Sequence, residues 1–426
     1  MNIQLSPASL RGTVAAIPSK SDVHRLLICA ALADKPTRLC LTAASEDIDA
    51  TINCLCALGA DIEQQDDTVW VHPIDRRCTA ADTPVLDCRE SGSTVRFLLP
   101  VAAAIHNAVF FKGSGRLPER PLDALLQAMQ PHGVTSTQAK LPLQTVGRLR
   151  GGAYVLPGNI SSQYLTGLLL ALPLLREDSS IHLTTALESA AYVDLTLQAL
   201  RRFGIQVTAQ ANAYWIPGGQ QFCSPGEVVA EGDWSNAAFF LAAGAMGASV
   251  SVTGLQSDSA QGDRRVLTIL QQMGATVLHE SGRITVTAQK LKGIAIDIRE
   301  IPDLLPPLAV AAACAEGTTQ FTGGARLRLK ESDRLASTAA MLHALGIQAE
   351  EQPDGLTVYG NGSSGLPVFT GGIVDSCHDH RIVMAAAIAA LRADAPVTIL
   401  DAGAVQKSYP AFFTQIRQLG GTTDVI

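Results

Sequence analysis

Six glycines set the frame of this chain. Gly59, Gly133, Gly204, Gly274, Gly346 and Gly420 each close a helix-like segment and precede a strand-like run, at intervals of 74, 71, 70, 72 and 74 residues. The clearest copies are Ala57-Leu58-Gly59-Ala60-Asp61-Ile62, Arg202-Phe203-Gly204-Ile205-Gln206-Val207 and Gln272-Met273-Gly274-Ala275-Thr276-Val277. Glycine takes the left-handed conformation that ends a helix and hands the chain to a strand. One such glycine says little. Six in near-constant rhythm predict a unit of about 70 residues repeated along the chain.

A second feature keeps the same rhythm. Polar openings precede runs built almost wholly of Ala, Leu, Val and Ile: Ser19-Lys20-Ser21, Ser91-Gly92-Ser93, Ser161-Ser162-Gln163, Gly232-Asp233-Trp234-Ser235, Ile301-Pro302-Asp303 and Asp379-His380-Arg381. A helix apolar on nearly every side must be buried. Its start carries free N–H groups and the positive end of the dipole, a natural anion site. Each unit therefore reads as strand, buried helix, strand, second helix ending in Gly, then one or two strands. The expected fold is α/β (α+β), with buried helices covered by mixed sheets. Three units make a comfortable domain, so two similar domains facing across a cleft are expected.

Of 426 residues, 47% are hydrophobic and 17% charged, ample for buried cores. Lys and Arg number 32 against 39 Asp and Glu, a net charge of −7, which argues against wrapping nucleic acid or coating an anionic membrane. The uncharged stretch 237–255 reads as a buried helix running into a strand rather than a membrane span. The opening residues lack the layout of a signal peptide, and a cytoplasmic monomer is expected. Nine cysteines without a C-x-x-C spacing are read as core thiols, not metal ligands. P-loop, dinucleotide-binding, zinc-protease and serine-hydrolase motifs are absent, and no cofactor or metal is expected.

The densest polar segment runs from Arg326 through Lys330-Glu331-Ser332-Asp333 to Arg334. Taken alone it reads as a solvated charge run. It stands, however, with Lys20, Arg25, Arg96, Arg116, Arg120 and Arg381 in or near the polar openings, and Lys407 in a late loop. An acidic protein that gathers cations at helix starts binds something strongly anionic. Arginine forks suit carboxylate or phosphate, and Asp303 and Glu331 could supply acid–base chemistry among them.

In that order, Pro18-Ser19-Lys20-Ser21 to Arg25, Ser91-Gly92-Ser93 to Arg96, Glu119-Arg120-Pro121, Ser161-Ser162-Gln163, Ile301-Pro302-Asp303, Lys330 to Arg334 and Asp379-His380-Arg381 closely resemble the EPSP synthases, a family of enolpyruvyl transferases. The resemblance runs from Pro18 to about Lys407. It implies transfer of the enolpyruvyl group of phosphoenolpyruvate to the 5-hydroxyl of shikimate-3-phosphate, with release of phosphate, on the route to chorismate and the aromatic amino acids. It also implies a discontinuous domain of 1–18 with 230–426 and a second of 19–229.

By matched position, Lys20, Asp303 and Glu331 would be catalytic. Lys20, Ser21, Arg25, Ser161, Ser162, Gln163, Ser189, Tyr192, Asp303 and Lys330 would hold shikimate-3-phosphate. Lys20, Gly92, Arg120, Gln163, Arg334, Arg381 and Lys407 would hold phosphoenolpyruvate. The chain departs from the family pattern in having Ser19 directly after Pro18, Arg89-Glu90 for Gly-Asn, Phe97 for Pro, Ala190-Ala191 for Lys-Pro, and Arg326 for Asn. The rival reading is the UDP-N-acetylglucosamine enolpyruvyl transferases, which usually carry a reactive loop cysteine. The matching stretch from Lys112 to Glu119 has none. A non-catalytic phosphometabolite-binding protein is the remaining alternative, and it would not need the paired carboxylates.

Overall fold

A computed structural model of the chain describes residues 1–41, 45–75, 83–287, 290–362 and 367–426. Its helices are α1 (Lys20–Ala31), α2 (Glu46–Ala57), α3 (Gly92–Ile105), α4 (Asp123–Met129), α5 (Ser162–Ala171), α6 (Ala190–Arg202), α7 (Trp234–Ala245), α8 (Val266–Gln272), α9 (Leu305–Ala313), α10 (Arg334–Ala344), α11 (His380–Ala390) and α12 (Phe412–Gln418). All six polar openings stand at or just before the start of an odd-numbered helix. The six glycines follow the even-numbered ones, every one with positive φ.

The odd-numbered helices are the cores. Every residue of α7, α9 and α11 is buried. They hold Ala-rich runs that let helices enclosed on all sides pack closely, with a few large side chains such as Trp234, Phe239 and Phe240 buried among them. In α3, Pro100 has no N–H to give the Arg96 carbonyl, and a Cβ on Gly167 of α5 would lie 2.3 Å from that carbonyl oxygen. Glycine there lets α3 and α5 approach closely.

Each repeat folds as β-α-β-α-β-β. In the third, Gly152–Leu156 pairs in parallel with Ser179–Leu183, which pairs antiparallel with Ala213–Ile216, and Thr208–Gln210 forms the far edge. Among the described residues, six four-stranded sheets all share this mixed order. Three sheets take a strand from elsewhere in the chain. Glu227–Val229 opens the sheet of the first repeat beside Thr37–Cys40. Arg11–Ala15 opens the fourth beside Ser249–Thr253. Ile3–Ser6 is the inner antiparallel strand of the sixth, between Val397–Leu400 and Thr422–Val425.

These borrowed strands make one unit discontinuous: Met1–Ser19 with Glu231–Ile426, the other being Lys20–Ala230. Each has its own hydrophobic core. Within the first unit the two chain crossings run side by side: Ser19 N–H donates to the Glu231 carbonyl at 2.6 Å, and Asp233 N–H to Ile17 at 2.8 Å.

The stretch 237–255 is the end of α7 followed by the strand Ser249–Thr253, and among the described residues no helix is long and apolar enough to cross a membrane. The cysteines depart from expectation. Cys29, Cys54 and Cys88 are buried, but Cys56, Cys223 and Cys377 are exposed. Cys56 is two residues from Cys54, and on a helix that spacing turns it to the opposite side. Cys223 and Cys377 lie in irregular segments. Cys78 lies outside the described residues.

Candidate active site

The first group of site residues belongs to the unit Lys20–Ala230, at the starts of α1, α3 and α5. Lys20 opens α1 and its Nζ lies 2.8 Å from Asp47 Oδ2, in the first turn of α2. Ser21 follows, half-buried, and its carbonyl accepts from the Arg25 guanidinium. Arg25 is buried. Its Nε donates to Thr196 Oγ1 and its Nη2 to the Tyr192 carbonyl, both at 2.8 Å, so it ties α1 to α6. Its guanidinium stands 5.0 Å from the centre of the Phe97 ring. Burial lowers its pKa to about 10, so it stays charged at neutral pH.

Gly92 opens α3 between two guanidinium groups. A Cβ there would lie 2.6 Å from Arg120 Nη1 and 2.7 Å from Arg96 Nη1, so any larger residue would push these cations away from the helix start. Arg120 Nε is buried and makes no hydrogen bond among the described residues, a donor suited to an incoming anion. Arg96 Nη1 donates to Gln163 Oε1 at 2.8 Å, and Gln163 Nε2 donates to Ser93 Oγ at 2.9 Å. Gln163 is thereby oriented across the starts of α3 and α5.

Ser161 caps α5, accepting from Gln163 N–H, and Ser162 is buried behind it. Ser189 precedes α6 with φ 57° and ψ 46°, where a capping residue is ordinarily extended. It is buried, and left-handed backbone at a non-glycine residue is strain of the kind that collects at functional sites. Ala190 and Ala191 begin α6, with Tyr192 one residue further on.

The second group belongs to the other unit. Arg334, at the start of α10, is 1% exposed and contacts three carboxylates. Its Nη1 donates to Asp303 Oδ1 at 2.8 Å, its Nε to Asp379 Oδ2 at 2.9 Å, and its Nη2 to Glu331. Asp303 in turn meets, among the described residues, Arg334, Arg381 Nη2 at 3.1 Å, and Lys330 Nζ at 3.7 Å. Burial by itself raises the Asp303 pKa, but Arg381, Lys330 and Arg334 outweigh it and hold the carboxyl well below the usual range. Asp379 also caps α11, accepting from Arg381 N–H at 2.9 Å.

Lys407 is buried, and its Nζ donates to the His378 carbonyl at 2.8 Å. Cys377 and His378, just before Asp379, are both left-handed. Arg326 turns to the Arg299 carbonyl at 2.8 Å.

Four contributors lie outside the catalytic and substrate-binding residues assigned by matched position, although Arg96 stands among the cations and Asp379 in a polar opening that the sequence singles out. Asp47 partners Lys20, and Asp379 holds Arg334. Arg96 orients Gln163. Asp263 is buried before α8, bonded to Ser235 Oγ, and burial, then the nearby Asp303, push its pKa up to about 7. A signal for Asp47 and Asp263 exists. The first turn of a buried helix meets the segment opening the next helix 27 to 28 residues on, as in Lys20–Asp47, Trp234–Gln261 and Ser235–Asp263. Spacing of that kind becomes readable only once the repeat is folded.

The chain matches the family model of EPSP synthase (3-phosphoshikimate 1-carboxyvinyltransferase) over residues 5–416. It is 40% identical over 423 residues to the 3-phosphoshikimate 1-carboxyvinyltransferase of Clostridium acetobutylicum, covering 98% of this chain and 97% of that one. The enzyme of the same name from Clostridioides difficile is 38% identical over 434 residues, covering 99% and 98%. A solved EPSP synthase from Acinetobacter baumannii superposes with a TM-score of 0.84 at 29% identity, over 99% of both chains. The enolpyruvyl transferase NikO from Streptomyces tendae shares the fold, with a TM-score of 0.77 at 19% identity over 99% and 98% of the chains. On its full-length match to the family model and its relatives, the chain belongs to the EPSP synthase family, the 3-phosphoshikimate 1-carboxyvinyltransferases.

Proposed function

We propose an assignment of residues by which this chain transfers the enolpyruvyl group of phosphoenolpyruvate to the 5-hydroxyl of shikimate-3-phosphate and releases phosphate. The observation that carries it is the pair of carboxylates, Asp303 and Glu331, held on one buried arginine among further cations. A site built only to bind two anions would have no use for them.

In this assignment Ser161, Ser162, Ser189 and Tyr192 hold the shikimate phosphate. Gln163 lies by the ring, Ser21 and Arg25 flank it, and Lys330 meets its hydroxyls. Arg120, Arg334, Arg381 and Lys407 hold phosphoenolpyruvate, with Gly92 and Gln163 beside it. The attacking hydroxyl gives its proton to Asp303 as its oxygen bonds to the central carbon, and Glu331 protonates the methylene. In the second step Glu331 removes a proton from the new methyl group as phosphate departs, its charge offset by Lys20.

Asp303 ringed by cations is a weak base. Each cation that turns to a substrate carboxylate or phosphate removes part of what holds its pKa down, so binding of the anions prepares it. The two compact units are the two domains of this enzyme in our reading, and we place its activity in the cytoplasm, as a monomer.

Phosphate release from phosphoenolpyruvate tests the proposal. It should require shikimate-3-phosphate and be absent with UDP-N-acetylglucosamine as acceptor. The reverse result would overturn it.

A further inference from the structure

A buried hydrogen-bond chain joins the starts of three helices in the unit Lys20–Ala230. His24 lies one turn after Lys20 on α1, 1% exposed, with Nδ1 2.7 Å from Thr51 Oγ1. Thr51 lies one turn after Asp47 on α2, so Lys20–Asp47 and His24–Thr51 are successive rungs between the same two helices. Thr51 Oγ1 is 2.6 Å from Thr94 Oγ1 on α3. Thr94 Oγ1 donates to Ser91 Oγ at 2.7 Å, and Ser91 is the cap immediately before Gly92. Thr51, Thr94 and Ser91 are fully buried.

Counting hydrogens gives the chain a direction. Each threonine has one hydroxyl hydrogen. That of Thr94 goes to Ser91, so the contact between the threonines uses the hydrogen of Thr51. The contact with His24 then needs a hydrogen on the ring, which makes His24 the Nδ1–H tautomer. Burial, followed by the charges of Lys20 and Arg25, lowers the His24 pKa well below its ordinary value, so the ring is neutral and carries one hydrogen. Its Nε2 makes no hydrogen bond among the described residues, and the ring meets Phe97 edge-on at 6.3 Å.

We propose that His24 is a positioning residue: as the donor that starts this chain, it sets the first turns of α1, α2 and α3 so that Lys20, Asp47 and Gly92 stand ready for phosphoenolpyruvate. The proposal rests on the assignment of Gly92 and Arg120 to that substrate. A histidine serving the core alone could be replaced by an apolar side chain of similar size with an effect on stability only. The hydrogen-bond chain instead ends at the Ser91 hydroxyl that caps α3, next to the glycine where the two guanidinium groups converge.

Steady-state kinetics of three variants test it. His24→Asn places an amide N–H near the position of Nδ1 and should keep both Michaelis constants within about threefold. His24→Leu and Thr51→Val remove the chain and should raise the Michaelis constant for phosphoenolpyruvate about tenfold, with smaller changes in kcat and in the constant for shikimate-3-phosphate. The double variant should be no worse than the poorer single one. Wild-type kinetics in folded His24→Leu, or in Thr51→Val should His24→Leu not fold, would overturn the proposal. Arg120→Ala separates it from the assignment beneath. If Arg120→Ala leaves the phosphoenolpyruvate constant unchanged, the substrate assignment fails. If that constant rises while the His24 and Thr51 variants match wild type, only the role of His24 fails.

Discussion

Arg334 Nη1 lies 2.8 Å from Asp303 Oδ1 with the arginine almost wholly out of solvent. The pair is interlocked with Glu331 and Asp379 on one side and Lys330 and Arg381 on the other. Taking one member out strands the rest in a medium that solvates them poorly. Arg334→Leu should therefore destabilise its unit by about 3–5 kcal/mol, the scale for breaking a buried pair from one side. Urea unfolding measures this, and a midpoint within error of wild type would show the cluster to be far better hydrated than its burial indicates.

Asp263 predicts a pH dependence of opposite sign to that of ordinary carboxylates. Burial raises it from 3.8 to about 7, so between those values the folded protein binds a proton that the unfolded chain has released. Stability from this group is present at low pH and falls as pH rises through that window. Asp303 is shifted downward, and its contribution is lost only under strong acid, outside the window. Asp263→Asn should lose less stability than wild type between pH 5 and pH 8. Equal losses in thermal denaturation would contradict the account.

Gly92→Ala separates stability from function. Gly92 is the first residue of α3, where the cost of glycine in a helix interior hardly applies, so the melting temperature should change little. Its Cβ would meet Arg120 and Arg96 at 2.6 and 2.7 Å, and the guanidinium groups must move away. The Michaelis constant for phosphoenolpyruvate should rise about tenfold or more, in line with the cost of misplacing a binding group by about an ångström. An unchanged constant would mean that the arginines do not converge there on the substrate.

Gly59 and its five counterparts, with the polar openings such as Asp379-His380-Arg381, made the repeat and its buried helices readable, because left-handed helix ends and all-apolar helices each need particular residues. The borrowed strands were not readable. Ile3–Ser6 and Glu227–Val229 complete sheets whose partners lie far away in the chain, Ile399 for Ile3 and Arg38 for Glu227, and nothing local marks such pairing. The charge run around Lys330 shows the same limit. Arg328 turns outward to Asp333 and Glu351, while Arg334 points into the cluster, and only the folded register separates them. His24 and Thr51 read as ordinary helix residues until three helix starts are brought together.

The central claim is that Glu331 and Asp303 divide the proton chemistry, Glu331 at the methylene carbon and Asp303 at the attacking hydroxyl. Entry of solvent deuterium into the phosphoenolpyruvate methylene, followed by mass spectrometry in the presence of shikimate-3-phosphate, tests it most directly. Both Glu331→Gln and Asp303→Asn should lower turnover by about a hundredfold or more, the usual scale for losing an acid–base group. Exchange should be nearly abolished in Glu331→Gln. Near-normal turnover and exchange in Glu331→Gln would contradict the account and move the proton to another group, with Lys20 the first to test.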